Sequence, residues 1–175
     1  MINTKIEVQQ TDITKIQIES IVNAANSSLR GGGGVDGAIH RAAGPKMHEE
    51  CMRIIGKMGS CPPGEAVITS GGNMPAKYVI HTVGPVWNGG NYGEEEILAK
   101  AYRSSLELAV EFGIKSIAFP NISTGIYGFP KEKAAEIAVT TVNDFLSSDD
   151  FVQKVVFVCF EDDNFALYKE LIQKL

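Results

Sequence analysis

The sequence is poor in cysteine: Cys51, Cys61 and Cys159 are its three, with no CxxC pair among them. An odd, scattered set excludes a disulfide framework and a Cys-rich zinc site, and it fits a reducing compartment. Basic residues are not in excess either. Sixteen Lys+Arg against 21 Asp+Glu leave a formal charge of −5, so there is neither a polybasic nucleic-acid surface nor a block of like charge that would read as a tail. Long apolar runs are missing: the strongest, Val155 to Phe160, is far too short to span a bilayer. Met1-Ile2-Asn3-Thr4-Lys5 lacks the charged and apolar regions of a signal peptide. The expectation is a soluble, cytoplasmic protein with no membrane partner and no strong nucleic-acid binding. In that compartment Asn26-Ser27-Ser28 and Asn121-Ile122-Ser123 are not glycosylation sites, and these asparagines call for another explanation. No Pro/Ser linker, charge block or internal repeat divides the chain, so residues 1–175 are expected to form a single domain.

What is present is an ordinary globular composition, 44% apolar and 21% charged. A chain of this length buries roughly 70% of its unfolded surface. Glycine is the departure: 18 residues, about 10% against a usual value of roughly 7%, and they cluster. Lys5-Ile6-Glu7-Val8 and Lys15-Ile16-Gln17-Ile18 alternate like strands, and Ser20-Ile21-Val22-Asn23-Ala24 is a short apolar run of buried-strand type. Val35, Ala38, Ile39 and Ala42 fall at helical spacing, closed by Gly44 with Pro45 beyond. A second helix is predicted from Pro45 to Ile55, then strands at 66–69 and 78–83. A helix opened by Glu94-Glu95-Glu96, favourable at the positive end of the dipole, runs to Phe112-Gly113. A strand at 116–119, a helix from Pro130 to about Leu146, an internal strand at 155–160 and a terminal helix capped by Asp163 complete the series. Alternating strands and helices predict an α/β fold with a mixed, mostly parallel sheet covered by helices on both faces.

Ligands of such sheets sit beyond the carboxyl ends of the strands, where loops lead into helix N-termini. Two loops fit that position. The first, Asn23 to Gly37, carries Gly31-Gly32-Gly33-Gly34 just before a helix whose start includes Asp36. Glycines allow main-chain N–H groups to approach an anion, and the helix dipole adds favourable potential, although a merely flexible loop has the same composition. It is not a P-loop, because the Gly-Lys-Ser/Thr ending is missing, and there is no GxGxxG with an acid about 20 residues on. The second loop, Pro120 to Pro130, offers main-chain donors at Gly125, Ile126 and Tyr127; alternatively Ile126 and Phe129 are core contacts and Tyr127 a surface ring.

Taken together, Asn26, then Gly33-Gly34-Val35-Asp36-Gly37, then Ser123-Thr124-Gly125-Ile126-Tyr127-Gly128 closely resemble the MacroD-type macrodomains, which bind ADP-ribose and remove it from modified proteins. The likeness runs from Gln10-Thr11-Asp12-Ile13-Thr14 to Val158-Cys159-Phe160 and includes Val79-Ile80-His81-Thr82-Val83-Gly84-Pro85. It implies a three-layer α/β/α macrodomain.

Carried over residue by residue, the resemblance implies that Asp12 accepts from the adenine amino group, that the Ile13 main chain reads the ring edge and that Phe160 packs on the base. From the residues alone, Asp12 reads as a helix or turn cap and Phe160 as a core residue ending an apolar strand. Gly33, Gly34 and Val35 are implied on one side of the diphosphate, with Ser123, Thr124, Gly125, Ile126 and Tyr127 on the other. Oriented N–H groups would then supply the positive potential that an acidic protein lacks in side chains; Arg30 is left outside the site. Asn26, a donor and acceptor, is implied at the distal ribose, and Asp36 is implied to orient or deprotonate a water. Two effects oppose each other at Asp36: a helix start lowers its pKa and a neighbouring diphosphate raises it. His40, four residues after Asp36 on the same face, is a partner of that aspartate or a structural histidine. No serine or cysteine nucleophile accompanies it, and His48 and His81 lack metal-ligand spacing with the cysteines, so neither metal nor cofactor is expected.

The implied activity is hydrolysis of mono-ADP-ribose from acidic protein side chains, with related deacetylation of O-acetyl-ADP-ribose. The implied partners are ADP-ribose, its esters and mono-ADP-ribosylated proteins. A non-catalytic ADP-ribose reader and an ADP-ribose 1″-phosphate phosphatase are the competing readings.

Overall fold

A computed structural model describes residues 4–175. Residues 1–3, and with them most of the segment read above as free of a leader, lie outside the described residues. β1 (Ile6–Gln10) is followed by a single 3-10 turn (Ile13–Lys15), β2 (Ser20–Ala25), α1 (Gly34–Ala43), α2 (Pro45–Met58), β3 (Ala66–Ser70) and β4 (Tyr78–Val83). Then come α3 (Glu94–Glu111), β5 (Ser116–Phe119), α4 (Lys131–Ser148), β6 (Lys154–Cys159) and α5 (Asp162–Gln173). Among the described residues the strands form one six-stranded sheet in the order β1-β6-β5-β2-β4-β3. All pairs are parallel except β3 with β4, which gives the mixed, mostly parallel sheet expected.

Both faces of the sheet are covered, and strand alternation shows why. On β6, Val155, Phe157 and Cys159 join one core with Leu98, Tyr102 and Leu106 of α3, Ala135 and Val142 of α4 and Tyr168 of α5. Val156 and Val158, one pleat over, join Ile39 and Ala43 of α1 and Met47 of α2 in the other. Val22 and Ile21 of β2 divide in the same way. Near-continuous apolar strands follow from burial on both sides.

Three expectations change. Lys15 to Ile18 is not a strand: the Asp12 side chain accepts from the Thr14 N–H at 2.9 Å and the Lys15 N–H donates to the Asp12 carbonyl at 3.1 Å. This winds the chain into the 3-10 turn, while Ile16 and Ile18 pack against the α1/α2 core. The alternation was therefore a packing pattern without a ladder. Glu161, not Asp163, stands at the N-cap of α5; the Asp163 carboxylate instead takes the Lys131 ammonium at 2.7 Å. Glu94 does more than favour the dipole of α3. It is buried, and its carboxylate accepts from the N–H groups of Asn88, Gly90 and Tyr92, closing the loop before the helix. No helix among the described residues is long and apolar enough to cross a membrane.

Candidate functional site

The carboxyl ends of β1, β2, β5 and β6 open into one cleft of about 800 Å³, within the usual size of a small-molecule site. Every residue proposed for the site from the sequence lines it: Asp12 and Ile13, Asn26, Gly33 to Asp36, Ser123 to Tyr127, and Phe160. Sequence reasoning missed Gly32, Gly84 and Asn164, which also line it.

At one end, Phe160 follows the last residue of β6 and is 86% exposed. That removes the alternative of a core residue; the ring is an apolar face held out at the cleft. Asp12 is a turn cap as well as a lining residue. Its Oδ1 accepts from both the N–H and the hydroxyl of Thr14, at 2.9 and 2.7 Å, and these bonds hold the carboxyl below its ordinary pKa, leaving Oδ2 outside the capping bonds.

In the middle, α1 begins with no side chain capping it: Gly33 is the N-cap. Gly34 has φ 59°, a left-handed value that any other residue adopts at a cost. At Gly37 an added Cβ would collide with the Gly32 carbonyl oxygen, so only glycine lets the loop press against the first turn. The first-turn N–H groups thus face the cleft with the dipole behind them. Opposite, Gly128 and Phe129 use their N–H groups in turns to Gly125 and Ser123. Among the described residues those of Thr124, Gly125, Ile126 and Tyr127 are in no such turn. Ser123 has φ 68°, a strained value that turns the loop toward Gly84, where a side chain would strike the Ser123 hydroxyl. Phe129 is buried, as the core alternative required, whereas Ile126 is 94% exposed and no core contact.

At the far end, Asn26 and Asp36 converge. A Cβ placed on Gly32 would lie 3.5 Å from Asp36 Oδ2 and 3.7 Å from Asn26 Nδ2, so the missing side chain leaves one space bordered by both polar groups. Asn26 is fixed on both sides: Nδ2 donates to the Gly31 carbonyl at 3.1 Å and Oδ1 accepts from Ser28 Oγ at 2.8 Å. One N–H and one lone pair remain for a ligand. Asp36 is 6% exposed. Burial raises its pKa, while the N–H of Asn23, donated to Oδ1 at 2.8 Å, and the charge of His40 pull it down. His40 Nε2 lies 3.4 Å from the same oxygen, but burial depresses that imidazole more than Asp36 supports it. Asp36 Oδ2, on the Gly32 side, is left to act on a ligand or a water. Asn23 is the residue the sequence reading overlooked at this end, and a polar side chain inside an apolar strand was its only signal. Among the described residues no group of three His, Cys, Asp or Glu could hold a metal ion.

Known proteins are similar to this chain in sequence and in fold. The Macro domain family model matches residues 22–138. The O-acetyl-ADP-ribose deacetylase of Escherichia fergusonii is 56% identical over 97% of this chain and 96% of that protein. A macro domain-containing protein of Cupriavidus necator is 55% identical over 94% and 95%. Among solved structures, the Oceanobacillus iheyensis macrodomain with ADP superposes with a TM-score of 0.93 at 44% identity, covering 100% of this chain and 97% of that one. The Trypanosoma brucei macrodomain in complex with ADP-ribose superposes at 0.88 and 40% identity, over 96% and 69%. By sequence and by fold the chain belongs to the macro domain family.

Proposed function

We propose that this protein is an ADP-ribose-binding hydrolase that deacetylates O-acetyl-ADP-ribose and removes mono-ADP-ribose from acidic side chains of modified proteins. The observation that carries the reading is the convergence of Asn26 and Asp36 on the space left by Gly32. A site that only held ADP-ribose would have no need of a buried carboxylate aimed at the same point as a fixed amide. Relatives at 53–56% identity that bear the name O-acetyl-ADP-ribose deacetylase support it.

In this reading Phe160 stacks on the adenine and Asp12 accepts its amino group beside the Ile13 main chain. The diphosphate rests between the N–H groups of Gly33, Gly34 and Val35 and those of the Ser123–Tyr127 loop. Asn26 holds the distal ribose, and Asp36 Oδ2 orients a water and takes up its proton as the water oxygen bonds to the ester carbonyl carbon. The ribose oxygen then leaves with a proton, giving the free acid and ADP-ribose. Both substrates are esters of the same ribose, so one arrangement serves both. The chain works as one domain, and its three free, buried cysteines accord with a reducing, cytoplasmic setting.

The test is incubation with a glutamate-linked mono-ADP-ribosylated protein and, separately, with O-acetyl-ADP-ribose, comparing the wild type with Asp36→Ala and Asn26→Ala. Asp36→Ala should keep much of the ADP-ribose affinity yet lose about 10²–10⁴ in rate, and Asn26→Ala should lose about 10² by misplacing the ribose. Equal release by all three folded proteins, or none by the wild type, defeats the reading.

A further inference from the structure

Behind Asp36 lies a buried polar chain that the proposed reaction does not use. Asn23 on β2 donates from Nδ2 to Asp36 Oδ1 at 2.8 Å and, from the same nitrogen, meets His81 Nδ1 on β4 at 3.1 Å. His81 Nε2 lies 2.9 Å from Thr69 Oγ1 on β3. Asn23, His81 and Thr69 are all buried, and the antiparallel pairing of β3 with β4 and the parallel pairing of β2 with β4 set Asn23 directly opposite His81, with Val67 opposite it on the other side.

The direction of each bond follows from the Asp36 carboxylate, which can only accept, so the Asn23 amide nitrogen faces it. The same nitrogen lies against His81 Nδ1. His81 therefore carries its hydrogen on Nε2, toward Thr69 Oγ1, whose own hydroxyl has the Ser70 carbonyl within 3.0 Å, and keeps a lone pair on Nδ1. That lone pair accepts one N–H of the Asn23 amide, and the other N–H is left for Asp36. Were the amide reversed, its oxygen would face both a carboxylate and an imidazole lone pair. The orientation has a cost: Asn23 Oδ1 is buried without a partner, which a protein interior tolerates only when other bonds over-determine the group.

We propose that His81 is a positioning residue for the hydrolysis: by accepting from Asn23 it locks that amide as a donor to Asp36, and so holds the Asp36 carboxylate ionised and aimed at the space beneath Gly32. The proposal rests on the role given to Asp36 above. The groups facing Asp36 and His81 are Asn23 from β2, His40 from α1, His48, Glu50 and Cys51 from α2, and Thr69 from β3. Of these, His48 meets the His40 ring edge-on, with centroids 5.6 Å apart. Cys51, its thiol pushed up to about 11 mainly by burial, stays neutral 3.8 Å from His81 Nε2. Glu50 is occupied by the Ser70 N–H and hydroxyl. Burial takes His81 down to about 3, and the charge of His40 adds to that effect, so Nδ1 remains an acceptor throughout the working range.

Three measurements test this. Nitrogen-15 NMR of the imidazoles in the wild type should show His81 as the Nε2–H tautomer; the Nδ1–H tautomer overturns the proposal without any substitution. In His81→Leu, kcat should fall about 10²-fold, as expected for a displaced reacting group, while ADP-ribose affinity is unchanged and the acidic limb of the kcat–pH profile moves upward. His81→Asn, which keeps an acceptor near the Nδ1 position, should recover most of that loss. Wild-type kcat and pH profile in His81→Leu, or an equal loss in both variants, reduces His81 to core packing and sinks the proposal. Asp36→Ala in the same assay separates the two levels. If it is slow while His81→Leu is normal, only the His81 role fails; if it runs at the wild-type rate, the Asp36 role fails and takes this one with it.

Discussion

Trp87 and Phe129 pack ring against ring, with centroids 4.7 Å apart and planes at 54°. The pair joins the loop before α3 to the loop after β5, and the Trp87 N–H, donated to the Tyr127 carbonyl at 2.8 Å, makes the joint rigid at the backbone. Glu94 braces the same loop from below by taking three of its N–H groups.

Trp87→Ala should therefore do two things at once. It removes an aromatic pair of about 0.5–1.5 kcal/mol beyond the area it buries, lowering the melting temperature. It also loosens the loop whose N–H groups are assigned to the diphosphate, weakening ADP-ribose. Melting curves and calorimetry on the one variant check both; weaker binding with an unchanged melting temperature would break the link.

Phe160→Ala and Asp12→Ala should each cost roughly 1–3 kcal/mol of ADP-ribose affinity. Their effects on stability should differ. The Phe160 ring is exposed, whereas Asp12 caps the 3-10 turn, and losing a cap costs about 1 kcal/mol. Calorimetry paired with thermal melting separates a variant that only binds poorly from one that also melts early.

ADP-ribose should bind much more tightly than AMP. The adenine end is common to both, but AMP lacks the second phosphate and the ribose assigned to Asn26 and Asp36. Competition calorimetry that gave equal affinities would leave a general adenine-nucleotide site in place of the proposed one.

Acid should destabilise the fold through its histidines. His81 titrates at about 3 when folded and at about 6.5 when unfolded, and burial also depresses His40. Between those values the unfolded chain binds protons that the folded one does not, so stability is full above about pH 6.5 and is lost as the pH falls. Asp36, raised by burial, acts with the opposite sign, and only across the carboxylate range. The melting temperature should drop between about pH 7 and pH 5, and the slope should shrink in His81→Asn. A flat profile in the wild type would contradict the buried neutral ring.

The fold was legible because its inner strands are nearly uniform apolar runs and because α1, α2 and α3 stop at Gly44, Gly59 and Phe112-Gly113. The one misread strand, Lys15 to Ile18, alternated correctly but had no partner, and pairing is not written in a single segment. In the site, the loops announced themselves through glycine, since a side chain is strained at Gly34 and has no room at Gly37. The meeting of Asn26 with Asp36 depended on a resemblance, because nine residues of loop and helix start separate them in the chain. Asn23 and His81 stayed hidden for a physical reason: their chemistry lies in which side chain stands opposite which across a ladder, and strand register does not appear in a spacing rule.

The uncapped start of α1 has a further consequence in the proposed reading. A diphosphate held by lysines is weakened by salt, because mobile ions compete for exposed charge over about 8–10 Å at ordinary ionic strength. Peptide dipoles at a helix end are fixed in place and carry no counterions to be released. Binding of ADP-ribose should thus hold nearly constant as salt is raised. The same site gives little purchase to polyanions, whose attraction is mostly long-range, so this acidic protein can select a doubly charged small molecule without gathering nucleic acid around it.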